Sequence, residues 1–138
     1  MVTPSALTLR RRASELHSSA DRELIHNEDS SALLLFYAAE CALKSVYMQR
    51  NNLKTTDDSR GGAASARSYI HNLTRLIADL NIPRSSVSTA PPTLLSRTAN
   101  AIPSQDLHQA WRYGEKVQNT TIVCTWLNSI IDWCKKNG

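Results

Sequence analysis

Glycine is scarce. The chain holds four glycines in 138 residues, at 61, 62, 114 and 138, and none lies inside an apolar run. A β-rich protein of this length would need more of them at its turns, so the long stretches free of Gly and Pro argue for helices. Cysteine is also sparse: Cys41, Cys124 and Cys134 are odd in number, form no CxxC pair and show no Cys/His ligand spacing. Each lies in an apolar stretch, where a free thiol behaves as a small hydrophobe, and this usage fits a reducing, cytoplasmic compartment. No phosphate loop, GxGxxG, HExxH or nucleophile elbow occurs. Asp57 and Asp58 lack metal-site spacing, so neither a metal nor another cofactor is expected. The opening Met-Val-Thr-Pro-Ser-Ala has no basic region followed by an apolar core, which argues against a signal peptide. The longest apolar run, Ala32 to Ala39, is far below the ~20 residues that span a bilayer, so no membrane association is expected.

What is present suits one domain covering residues 1–138. Hydrophobic residues make up 41% and charged residues 20%, with a net charge of +4. The charge bias is mild, and the only tight basic run is Arg10-Arg11-Arg12. That run reads either as a solvated helix face or as a phosphate-contacting patch.

Periodicity divides the chain into four or five helices. The first starts near Thr3-Pro4, with Leu7, Leu9, Ala13, Leu16, Ala20, Leu24 and Ile25 at helical spacing. After a polar turn at 27–31, capped by Asp29, Ser30 or Ser31, a second helix runs to about Asn51. It is apolar on nearly all sides up to Ala39, which makes it central. A flexible loop is expected over about 52–65. A third helix spans about Ala66 to Leu80, with Tyr69, Ile70, Leu73, Leu76, Ile77 and Leu80 as its stripe. A second flexible loop, about 82–103, holds every proline but Pro4. A short helix capped by Ser104 turns Leu107, Ala110 and Trp111 inward, and Gly114 ends it. The last helix covers about Val117 to Lys136, with Val123, Trp126, Leu127, Ile130, Ile131, Trp133 and Cys134 inside. The expected fold is all-α, an antiparallel up-and-down bundle.

Several polar residues interrupt the apolar helices. Glu40 in the central helix needs a partner if buried; it reads either as a surface pair with Lys44 at i,i+4 or as a carboxylate facing a cleft. His71 reads as a satisfied histidine or as a proton-transfer group. His108 and Arg112 share a helix face at i,i+4. In Trp111-Arg112-Tyr113, an arginine between aromatics suits phosphate binding or an interface anchor.

Three segments in order, Phe36-Tyr37-Ala38-Ala39-Glu40-Cys41-Ala42-Leu43-Lys44, His71-Asn72-Leu73 with Leu76, and His108-Gln109-Ala110-Trp111-Arg112-Tyr113-Gly114, resemble the HEPN superfamily of prokaryotic helical domains. The resemblance spans roughly residues 30–115. It implies a bundle that dimerises, in a toxin–antitoxin, nucleotidyltransferase-associated or phage-defence setting, with a nucleotidyltransferase or other defence protein as partner. Many members are metal-independent RNases that use an Arg, four to six residues, then a His late in the domain. This chain departs from that pattern. No histidine follows Arg112, Arg67 and His71 are separated by three residues, and the spacing of Arg12 and His17 falls in the first helix. The resemblance therefore implies a non-catalytic module binding a nucleotide or nucleic-acid phosphate, or a partner protein, through Tyr37, Glu40, Lys44, His71, Arg112 and Tyr113. The alternatives are a diverged RNase using His71, His108 and Arg112, and a structural adaptor.

Overall fold

The computed structural model describes residues 2–138. They form an all-α fold of five helices: α1 (Ala6–Glu23), α2 (Glu28–Arg50), α3 (Leu73–Asp79), α4 (Leu107–Arg112) and α5 (Thr120–Asn137). A two-stranded ribbon, β1 (Thr93–Leu94) and β2 (Ala101–Ile102), interrupts the second loop. It pairs antiparallel with Thr93 opposite Ile102.

Helix starts are set by side-chain acceptors, and these lie elsewhere than Thr3 and residues 29–31. Ser5 caps α1, its Oγ accepting the Thr8 N–H at 3.2 Å. Pro4 stays outside, and its carbonyl accepts the Thr56 N–H at 3.1 Å. Asn27 caps α2 by accepting the Ser30 N–H at 2.9 Å, which draws the expected turn into the helix. Ser31 is then free to donate to the Ala20 carbonyl at 2.7 Å, clipping α1 to α2. On α1 one ridge is buried, Leu9, Ala13, Leu16 and Ala20. Leu7, Leu24 and Ile25, expected inside, are exposed because that ridge already fills the width of contact with α2.

α2 is the hub and packs against α1, α3, α4 and α5. Phe36, Leu43 and Met48 on it are fully buried. α2 has 23 residues, and an 18-residue window within it has a mean hydropathy of 1.2, so it is long and apolar enough to cross a membrane by length and composition. Here its apolar sides are occupied by the other helices. α1 and α2 make an antiparallel hairpin, with Ser45 Oγ donating to the Ala6 carbonyl at 2.8 Å. α5 runs alongside α2 in the same direction: Thr121 reaches Glu28 at one end, and Gly138 abuts Val46 at the other. The long excursion between α2 and α5 makes this possible, because it returns the chain to the start of α2.

The third helix is not continuous. A 3₁₀ turn, Ala66–Tyr69, ends where Ile70 and His71 turn left-handed, at φ 41° and 61°. α3 begins afterwards, capped by Asn72, whose Oδ1 accepts the Arg75 N–H at 3.1 Å. Ile70, placed on the apolar stripe by periodicity, projects outward instead. Residues 52–65 are irregular but tied down at several points: Leu53 and Thr56 are buried, and Tyr47 donates to the Ala64 carbonyl at 2.6 Å.

Ser104 opens a 3₁₀ turn, Ser104–Asp106, rather than capping α4 directly. Gly114 does end α4 as expected. Its φ of 81° lets the Glu115 N–H reach back to the Ala110 carbonyl at 2.8 Å, a left-handed helix stop that favours glycine. α5 starts at Thr120, later than expected, and all seven of its expected inner residues are buried.

Candidate functional site

The break at Ile70–His71 is what assembles the polar cluster. Glu40, on the face of α2 turned towards the 70–71 corner, is only 7% exposed. Its carboxylate accepts two bonds from one residue: the His71 backbone N–H at 3.0 Å and the His71 ring Nδ1 at 3.0 Å. Lys44, one turn further along α2, completes the set at 3.1 Å. A continuous helix through residues 66–80 would have spent the His71 N–H on its own backbone. The left-handed turn frees it, although a β-branched residue in that region is strained. Strain of this kind persists where surrounding contacts over-determine it. Here the buried carboxylate supplies those contacts.

Burial pushes the Glu40 pKa up, but the Lys44 ammonium, the His71 ring and the hydrogen bonds from both outweigh it, holding the carboxyl below its usual range. Glu40 is thus an acceptor only, so His71 Nδ1 carries a proton. In neutral His71 the lone pair then sits on Nε2, and the ring is about one third exposed.

His108, from α4, lies against His71 with ring centroids 4.1 Å apart. Phe36 backs His108 at 5.2 Å. His108 is nearly fully buried and its Nδ1 has no hydrogen-bond partner. Burial lowers its pKa, and the His71 and Arg112 charges add to this, against a smaller opposing pull from Glu40 and the Gln105 backbone. His108 is therefore held neutral beside His71 and cannot readily act as an acid.

Tyr37, one turn before Glu40, lies 6.4 Å from His71 and 6.2 Å from His108, ring to ring. Its hydroxyl accepts a short hydrogen bond from Arg112 Nη2. The Arg112 guanidinium carbon lies 6.0 Å from the Tyr37 and Tyr113 ring centres alike. The hydrogen bonds it donates to the Tyr37 and Tyr113 hydroxyls raise its pKa further. Tyr113 is exposed.

All six residues singled out as ligand-binding, Tyr37, Glu40, Lys44, His71, Arg112 and Tyr113, lie in one connected cluster, with His108 beneath it. Glu40 and Lys44 do pair at i,i+4, but the carboxylate is buried and taken up by His71, so the pair is not a surface one. Trp111 behaves differently from its neighbours. It is buried in the core with its Nε1 unpartnered, so it is not offered to a second subunit. Helical geometry explains this, since adjacent residues on a helix point about 100° apart.

Two participants were not among the residues read as ligand-binding. Phe36 is the chain's only phenylalanine and forms the floor of the histidine pair. His108 as a buried partner was legible in the Leu107, His108, Trp111 spacing, which places it on the inner arc of α4. Among the described residues no group of three His, Cys, Asp or Glu side chains is arranged to hold a metal ion. Compared with protein families, curated proteins and solved structures, the chain matches none.

Proposed function

We propose that the chain is a HEPN-like binding module, dimeric in its working form, whose Tyr37–Arg112–Tyr113 face holds the phosphate of a nucleotide or single-stranded RNA. The observation that carries this reading is Arg112. It is an exposed guanidinium with no carboxylate partner among the described residues, held by two tyrosines. A guanidinium of this kind suits a phosphate, and a flanking exposed ring suits a base. A toxin–antitoxin or phage-defence setting, with a nucleotidyltransferase as partner, belongs to the same proposal. Labelled single-stranded RNA, followed by fluorescence anisotropy at low salt, tests it. Arg112→Ala is expected to weaken binding by about fivefold, as for an exposed charge contact, and Tyr113→Ala by about fivefold or more through lost stacking. Unchanged affinity in both variants sinks the proposal, and absent binding leaves the structural adaptor as the better reading.

A second reading, a metal-independent RNase, is favoured by one observation. Glu40 accepts from His71 Nδ1, which leaves Nε2 as the ring nitrogen not engaged by the carboxylate, and Tyr37 lies between this ring and Arg112. In such a site His71 would take the 2′-hydroxyl proton while Arg112 stabilises phosphate charge. RNA cleavage that survives EDTA and disappears in His71→Ala supports it; no cleavage at micromolar protein refutes it.

A further inference from the structure

Away from the Glu40–His71 cluster, α1, α2 and α5 line a cavity of about 240 Å³. Ala13, Ala42, Val46 and Ile131 give it an apolar floor, Ser14, Ser45 and Gly138 add to the lining, and Arg10 and Lys135 stand at its rim. No Asp or Glu side chain lines it. Arg10 makes no ion pair among the described residues, and of the Arg10–Arg12 run it alone lines this cavity, Arg12 pairing with Glu15 instead.

Lys135 is held by a relay of its own. Its Nζ lies 3.2 Å from His17 Nδ1, and His17 Nε2 lies 3.0 Å from Asn128 Oδ1. An ammonium only donates and an amide oxygen only accepts. His17 must then be the Nε2–H tautomer, with Nδ1 accepting from Lys135. The relay fixes the ammonium without neutralising it, unlike the carboxylates that pair with Lys44 and Lys116. Cys134 also lines the cavity. Burial pushes its thiol up to about 12, so it contributes an uncharged surface and no thiolate.

We propose that this cavity binds a small organic carboxylate with a short apolar body. Arg10 and Lys135, neither of them in an ion pair among the described residues, attract a single anionic head at the rim. Of the two hydroxyls lining it, that of Ser45 is spent on the Ala6 carbonyl, so beyond the rim only Ser14 offers a side-chain hydroxyl to the remaining oxygens of a phosphate. The volume lies just below the roughly 300–1,000 Å³ of common ligand sites. At roughly 30 Å³ of liquid volume per water it is room for about eight waters, which suits a ligand of about the size of hexanoate.

The test is a ¹H–¹⁵N NMR titration of the full chain with hexanoate, hexanol and inorganic phosphate. Saturable shifts at the Ala13, Ala42 and Ile131 amides with hexanoate, weakened about fivefold by Arg10→Gln or Lys135→Gln, support the site. Arg10 and Lys135 are both exposed residues, so these variants fold. Ser14→Trp, at the exposed mouth, is expected to abolish the shifts. Three results overturn the proposal: no shift with millimolar hexanoate, hexanol binding as tightly as hexanoate, or inorganic phosphate binding as tightly as either.

Discussion

Removing the Glu40 carboxylate separates a structural keystone from a surface ion pair. In Glu40→Ala the Lys44 ammonium and two His71 donors lose their acceptor at once. Breaking a fully buried charged pair costs roughly 3–5 kcal/mol. Lys44 and His71 keep 16% and 36% of their side-chain exposure, so water recovers part of this. Relaxation of the left-handed 70–71 turn returns a further share, since such strain is worth roughly 1–3 kcal/mol per residue. The net destabilisation expected is about 2 kcal/mol, or a fall of about 8 °C in Tm for a domain of this size. Calorimetry or urea unfolding measures it, and hydrogen exchange at the His71 amide reports the local release. The loss depends on pH with a definite sign. Glu40's folded pKa is depressed below its unfolded value of about 4.3. Its stabilisation is therefore complete above that value and disappears as pH falls through the folded pKa. The gap between wild type and Glu40→Ala narrows on acidification. A loss below about 0.5 kcal/mol at neutral pH is the size of an exposed i,i+4 pair, and it would refute the buried-anchor account.

Two other expectations rest on separate features. Ile70→Gly removes a β-branched residue from φ 41°; the relief of roughly 1–2 kcal/mol, less roughly 0.5–1 kcal/mol of added chain entropy, predicts a small rise in Tm, and a fall of several degrees contradicts the strain assignment. Burial raises the thiols of Cys41 and Cys124 to about 11 and that of Cys134 to about 12, so all three are expected to react slowly with a disulfide reagent near pH 8 and rapidly once unfolded; fast native labelling of any of them counts against its burial.

Reading along the chain recovers α2 and α5 because both bury enough residues for hydrophobic spacing to register. Val123, Trp126, Leu127, Ile130 and Ile131 lie where a period of 3.6 puts them. The same logic overextends α1 to Leu24 and Ile25. An apolar residue past the last contact is exposed at little cost, and spacing cannot see where contact ends. It also carries one helix through residues 66–80, since Tyr69, Ile70 and Leu73 keep the period even though the backbone reverses there.

What the sequence determined by itself was the all-α class, the central place of α2 and the polar residues that interrupt it. Those follow from local periodicity and from the cost of burying an uncompensated carboxylate. The tertiary structure alone decided which groups satisfy Glu40. The His71 N–H is free only because the chain leaves the helix at Ile70, a break that no residue between 66 and 80 announces. Only the return of α4 brings His108 onto His71, and only α5 lying beside α1 sets Lys135 against His17. Contacts between residues 31 to 118 positions apart depend on how the helices pack. Packing is a property of the whole chain, and no local window contains it.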